Sequence, residues 1–187
     1  YGYTVGAQFG AYDRANFVNL FVRYSEGLGA YGDLRVPAVR DSVRTSERAQ
    51  EFRAALSANW ERGMFAVMAG AYVRYFRDAD PGVFSRDALV EGAIVARPMA
   101  WFGDHVGLAL EASWQHSSYN ALDPDTGTGG VRGTVLRFGA VPFFTPAGRG
   151  SYTRPHIQLI YLATVRDEGA RRLYAPGDPF GFNAVEH

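Results

Sequence analysis

The amino-acid sequence predicts an all-β fold, an antiparallel transmembrane β-barrel to which the chain contributes about eight strands. Three observations predict it: long runs of alternating side chains, connections that alternate between short and long, and aromatic residues gathered at strand ends. The strands are expected near residues 1–11, 17–26, 50–60, 64–76, 88–100, 106–117, 131–143 and 153–166, within one partial barrel domain covering 1–187.

The first element is the plainest. Tyr1, Tyr3, Val5, Ala7, Phe9 and Ala11 alternate with Gly2, Thr4, Gly6, Gln8 and Gly10, a period of two that only a strand has. After the polar break at 13–16, Val18, Leu20, Val22 and Tyr24 oppose Phe17, Asn19, Phe21, Arg23 and Ser25, so the two runs make a short-turn hairpin. A polar, arginine-rich stretch leads to the third run, with Phe52, Ala54, Leu56, Ala58 and Trp60 opposite Glu51, Arg53, Ala55, Ser57 and Asn59. Glu61-Arg62-Gly63 is the next short turn. In the fourth run Phe65, Val67, Ala69, Ala71, Val73 and Tyr75 share the apolar face, with Met68 and Tyr72 blurring the other. A loop holding Asp78, Asp80, Pro81 and Gly82 precedes the fifth, where Glu91 and Arg97 oppose Val90, Ile94 and Ala96. Phe102-Gly103-Asp104-His105 turns into the sixth, where Val106, Leu108, Leu110, Ala112 and Trp114 oppose Glu111, Ser113 and Gln115. The loop NALDPDTGTGG leads to the seventh, and FTPAGRGS to the eighth, where Ile157, Leu159, Tyr161 and Ala163 oppose Arg154, His156 and Gln158.

Strands of roughly 10 to 13 residues are long enough to cross a hydrocarbon layer when tilted, whereas strands in soluble domains average about 5 to 6. Charges within the strands keep to one parity, which assigns that face to water and the other to lipid. Trp60, Phe65, Trp101, Phe102, Phe143 and Phe144 near the short turns, and Tyr24, Tyr75 and Trp114 near the long loops, read as two interfacial girdles. A soluble up-and-down barrel or sandwich with aromatic core residues would alternate too, and it is the conjunction of strand length, loop asymmetry and girdle position that favours the membrane.

Composition removes several classes. Nineteen basic residues, all arginine, balance nineteen acidic ones, so no net field points to nucleic acid. Cysteine is absent, which excludes disulfide scaffolds and thiol catalysis. No run of about 18 apolar residues offers a transmembrane helix. Gly27, Gly29 and Gly32 spell GxGxxG without the helix and βαβ unit of a dinucleotide site, and Asp123 and Asp125 lack the remaining ligands of a calcium loop. His105, His116 and His156 have neither metal spacing nor a serine partner motif. Glu91 and Glu111 read as lining rather than an acid/base pair. No catalytic residue, metal or cofactor is expected.

Two aromatics on the charged parity are the informative oddity. Phe17 and Tyr152 share it with Arg23 and Arg154 and stand beside short turns. Such rings either stack on the apolar faces of sugars, with flanking charges bonding the hydroxyls, or pack against a plug or adjoining loop.

At these residues the chain resembles the maltoporin family of sugar-selective outer-membrane porins. The segments FVNLFVRYSEG, ARPMAWF, LALEASW and above all YTRPHIQLIYLAT carry the likeness, spread over nearly the whole chain. The resemblance implies the C-terminal half, without the final strand, of an 18-stranded barrel assembled as a homotrimer in the outer membrane of a Gram-negative bacterium. It implies facilitated diffusion of maltose, malto-oligosaccharides or related sugars, with no reaction. Phe17 and Tyr152 match two positions of the family's aromatic slide, with tyrosine in place of tryptophan at the second. Arg23, Arg53, Glu91, Arg97, Glu111, Arg137, Arg154, His156 and Gln158 are the expected pore lining. A general or anion-leaning porin is the alternative, and an outer-membrane hydrolase a more distant one.

Overall fold

The computed structural model describes residues 1–31, 39–40, 43–44, 49–77, 88–119 and 130–172. Seven long strands run in chain order across one antiparallel sheet: β1 (Gly2–Asp13), β2 (Asn16–Gly27), β5 (Gln50–Arg62), β6 (Phe65–Arg77), β7 (Ala88–Trp101), β8 (Val106–Tyr119) and β9 (Val131–Phe144). Two short strands, β10 (Ile157–Gln158) and β11 (Tyr161–Arg166), both pair with β9 and finish the far edge. A separate two-residue pair, β3 (Val39–Arg40) and β4 (Val43–Arg44), lies between β2 and β5 in the chain. A 3-10 turn (Leu28–Tyr31) follows β2, and a single helical turn, α1 (Glu168–Arg171), follows β11. No helix among the described residues is long and apolar enough to cross a membrane.

The eighth expected strand, 153–166, is corrected at its start. Residues 145–156 are irregular, and the strand begins only at Ile157. It then breaks at Leu159 and Ile160, although the register either side is continuous. The cause is on β9, where Pro142 faces Leu159: its carbonyl accepts from the Leu159 amide at 3.1 Å, but proline has no N–H to return the bond. Pro98 acts similarly on β7, whose pairing with β8 lapses at Arg97 and Pro98 and resumes at Met99.

Turn chemistry holds the short ends. Two residues, Gly63 and Met64, join β5 to β6, with Gly63 at a φ of 62°, a left-handed conformation that suits glycine. Two residues also join β1 to β2.

Register sorts the side chains as the alternation predicts. The row Gly6, Arg23, Arg53, Arg74, Glu91 and Ser117 runs across β1, β2, β5, β6, β7 and β8 on one face, here the polar face. The opposite, apolar face carries Val5, Phe9, Leu20, Leu56, Val73, Ile94, Leu110 and Phe138, all exposed, with Phe9 at 64% and Ile94 at 56%. The buried clusters lie on the polar face. At the short-turn end Ala66, Met99, Trp101, Ala109, Val141 and Phe143 pack together with Met68; at the long-loop end Phe76 and Leu89 pack with Ala30, Ala49 and Tyr31. Trp101 and Phe143 are therefore not girdle residues. They belong to the polar parity, Trp101 is 0% exposed, and their rings meet edge to face at 5.6 Å. Trp60, Phe65, Phe102 and Phe144 stand exposed at that end, as a girdle requires.

Each cluster is covered by a segment that leaves the sheet and returns over its polar face. At the loop end the 3-10 turn does so, bringing Tyr31 edge-on to Phe76 at 5.4 Å. At the turn end the cover is the segment 145–156, where His156 stacks on Phe143 at 5.7 Å. Beyond β11, α1 lies against β9: a Cβ on Gly133 would come within 2.8 Å of the Ala170 backbone, so only glycine admits that approach.

Candidate pore lining

The segment 145–156 positions one of the two expected aromatics. Arg149 donates to the carbonyls of Gly63 (3.3 Å) and Gly103 (3.1 Å), tying together the turns of two different hairpins. Ser151 donates through its amide (3.0 Å) and hydroxyl (2.8 Å) to the Glu61 carboxylate at the end of β5. Tyr152 is thereby carried across the turn end to Phe17 on β2, ring centroids 6.1 Å apart at 38°. A third ring continues the row: Tyr12 stacks on Phe17 at 6.3 Å and 29° and is its cross-strand partner. Sequence reading missed Tyr12, whose even number, shared with Thr4, Gly6 and Gln8, already placed it on the polar face.

Glu51 organises the charged residues near the long-loop end. Its side chain is 0% exposed and accepts from Arg53 at 2.6 Å, Arg74 at 2.6 Å and Arg23 at 3.1 Å. Arg74, itself buried, also donates to Glu91 at 3.2 Å. Register explains the gathering: Arg23, Arg53 and Arg74 are directly opposite one another on adjacent strands, an arrangement that repels unless a carboxylate sits among them. Neither Glu51 nor Arg74 was among the expected lining residues, and the signal was their shared parity with Arg23 and Arg53.

The remaining expected residues scatter along the face. Arg97 donates through Nε to Glu111 at 2.9 Å, with Nη2 closing onto the same oxygen. Glu91 and Glu111 are thus held by different arginines. Arg137 is exposed, cross-strand from Ser113 and Thr164. Arg154 is exposed, its Nη1 3.2 Å from the Thr153 carbonyl. Gln158 Nε2 lies 3.2 Å from His156 Nδ1. Burial and the Arg154 guanidinium push the His156 imidazole below its ordinary value. The other described histidines bond elsewhere, His105 to the Thr145 carbonyl and His116 to the Thr134 hydroxyl. His116 stands on the apolar parity, stacked on Trp114 at 5.8 Å. Among the described residues no group of three histidine or acidic side chains could hold a metal. Gly32, Asp123 and Asp125, from the two weak motifs, lie outside the described residues.

An antiparallel sheet whose exposed face is apolar and whose opposite face bears ordered ion pairs defines a protein of the transmembrane β-barrel class, with one surface for lipid and the other for water. The LamB porin family model matches residues 1–178, and the chain belongs to that family. The family comprises outer-membrane channels of Gram-negative bacteria and is not an enzyme family. Comparison with curated proteins and with solved structures found no match.

Proposed function

We propose that this chain forms part of the wall of a sugar-conducting channel in the Gram-negative outer membrane, working by facilitated diffusion in a homotrimer, with maltose or malto-oligosaccharides as the solutes. The observation that carries this reading is the contact of Phe17 with Tyr152 on the polar face. Two rings held side by side by backbone and by Arg149 and Ser151 offer an apolar platform where water alone would call for none. A sugar ring leaving water stacks its C–H face there and keeps its hydroxyls free for hydrogen bonds. Arg23, Arg53, Glu91, Arg97, Glu111, Arg137, Arg154, His156 and Gln158 supply those bonds along the lumen, each weak enough to be exchanged for the next. Family membership supports the channel; the trimer and the sugar are typical of that family. Both sheet edges, β1 and β10/β11, lack each other as partners among the described residues, and in lipid such edges require further strands.

The test is current block in planar bilayers. Maltohexaose added to the reconstituted porin should interrupt the open current, and Tyr152→Ala should raise the blocking concentration by about tenfold, the value of one lost stacking contact. Absence of sugar block in the unaltered channel would refute the reading.

A further inference from the structure

The three arginines around Glu51 present a different chemistry from the aromatic platform. The group holds three guanidiniums against two carboxylates, Glu51 and Glu91, and so keeps one positive charge. Its charges are also unequally displayed. Glu51 is 0% exposed and cannot meet a solute, while the side chains of Arg23 and Arg53 are 41% and 39% exposed in front of it. The buried carboxylate holds each fork by its Nη2, and the Nε of each is buried without a hydrogen-bond partner, while the two side chains as a whole stay part-exposed. Two guanidiniums on neighbouring strands, cross-strand partners on one face, suit an oxyanion that accepts from both. Phe21, two residues toward the turn on the same face of β2 and exposed, stands about 7 Å along the strand from Arg23. One ring for stacking and one anion clamp thus lie within reach of a single saccharide unit.

We infer that Arg23 and Arg53, braced from behind by Glu51 and Arg74, form an anion clamp in the lumen, and that with Phe21 it selects acidic saccharides, sugars bearing a carboxylate on the ring. The clamp rests on the reading of the polar face as a channel lining, and lies roughly 20 Å along β2 from the Phe17–Tyr152 platform, six residues away. Neutral and acidic units of a chain therefore meet different stations.

The experiment compares trigalacturonate with maltotriose as blockers of the reconstituted porin. Trigalacturonate should block at a concentration about tenfold lower, the gain from charge-assisted bonds over neutral ones. Arg23→Gln with Arg53→Gln should erase that preference. Since removing these arginines strains the Glu51 cluster, a second measurement uses the unaltered channel: its reversal potential in a potassium chloride gradient should have the sign of chloride preference. Free acetate at equal concentration separates a site for any carboxylate from one for an acidic sugar, and should leave the trigalacturonate block in place. Equal potency of the two trisaccharides or a cation-preferring potential overturns the clamp, and full competition by acetate overturns its selection of acidic saccharides. Block by maltotriose decides the sugar-channel reading separately, so either can fail without the other.

Discussion

The two faces of this sheet invert the usual relation between polarity and burial. On the apolar face Phe9, Ile94 and Phe138 stand exposed, and no segment of the described chain covers them. On the polar face lie both the ion pairs and the buried apolar clusters, because that is where the segments after β2 and β9 return. In a water-soluble domain the apolar face would be covered first, since an exposed apolar surface of this extent is a binding surface. Here bilayer hydrocarbon is its partner, and the chain spends its own packing on the other side. Burial within the protein and hydrophobicity of a strand face have become independent.

Breaking the polar face at its buried charge should have the largest effect. Glu51→Leu leaves three arginines facing one another, one of them buried, and should cost the upper part of the about 3–5 kcal/mol seen when a buried ion pair loses a member. Urea unfolding in lipid vesicles, followed by tryptophan fluorescence, measures it. Glu111→Gln, which releases only the part-exposed Arg97, should cost about 1 kcal/mol or less. Next comes the cluster at the turn end: Trp101→Ala should cost about 3–5 kcal/mol in the same assay, and Trp60→Ala on the apolar face clearly less. A third pair places one charge on either side of the sheet at adjacent positions. Ile94→Arg faces lipid and should lose about 2–4 kcal/mol and insert poorly into vesicles, whereas Ala93→Arg faces water and should insert normally. Equal penalties would mean that the apolar face does not meet lipid.

The smallest effect is a pH dependence. The folded-state value of His156 lies below its unfolded value of about 6.5, so its contribution to stability is whole above that pH. As pH falls below 6.5 the unfolded chain takes up the proton first, and that contribution shrinks. The urea midpoint should therefore drop slightly more between pH 7.5 and 5.5 in the unaltered protein than in His156→Phe, which keeps the stack on Phe143 and cannot titrate.

Strand parity was legible in the sequence because a period of two leaves no freedom: once Arg23 is on one face, Phe17 and Phe21 share it. The family was legible in short segments such as YTRPHIQLIYLAT. Depth was not legible. Trp101 and Phe143 look like girdle aromatics because they adjoin Phe102 and Phe144, and only the return of 145–156 over one parity separates buried from exposed. Glu51 was hidden differently, as one of several charges of correct parity, since which carboxylate becomes the hub depends on cross-strand register. The eighth strand misled at its start, where 145–156 crosses the polar face instead of pairing, and at its break, because Pro142 sits on the neighbouring strand.

Arg149 has a kinetic consequence. By bridging the turns at Gly63 and Gly103, and with Ser151 tied to Glu61, it couples hairpin tips that would otherwise be free to move separately. A conducting pathway whose mouth is fastened in this way should carry a quieter current. Arg149→Ala should leave the mean conductance close to its original value and raise the low-frequency noise of the open state, turning a mechanical fastening into an electrical signature.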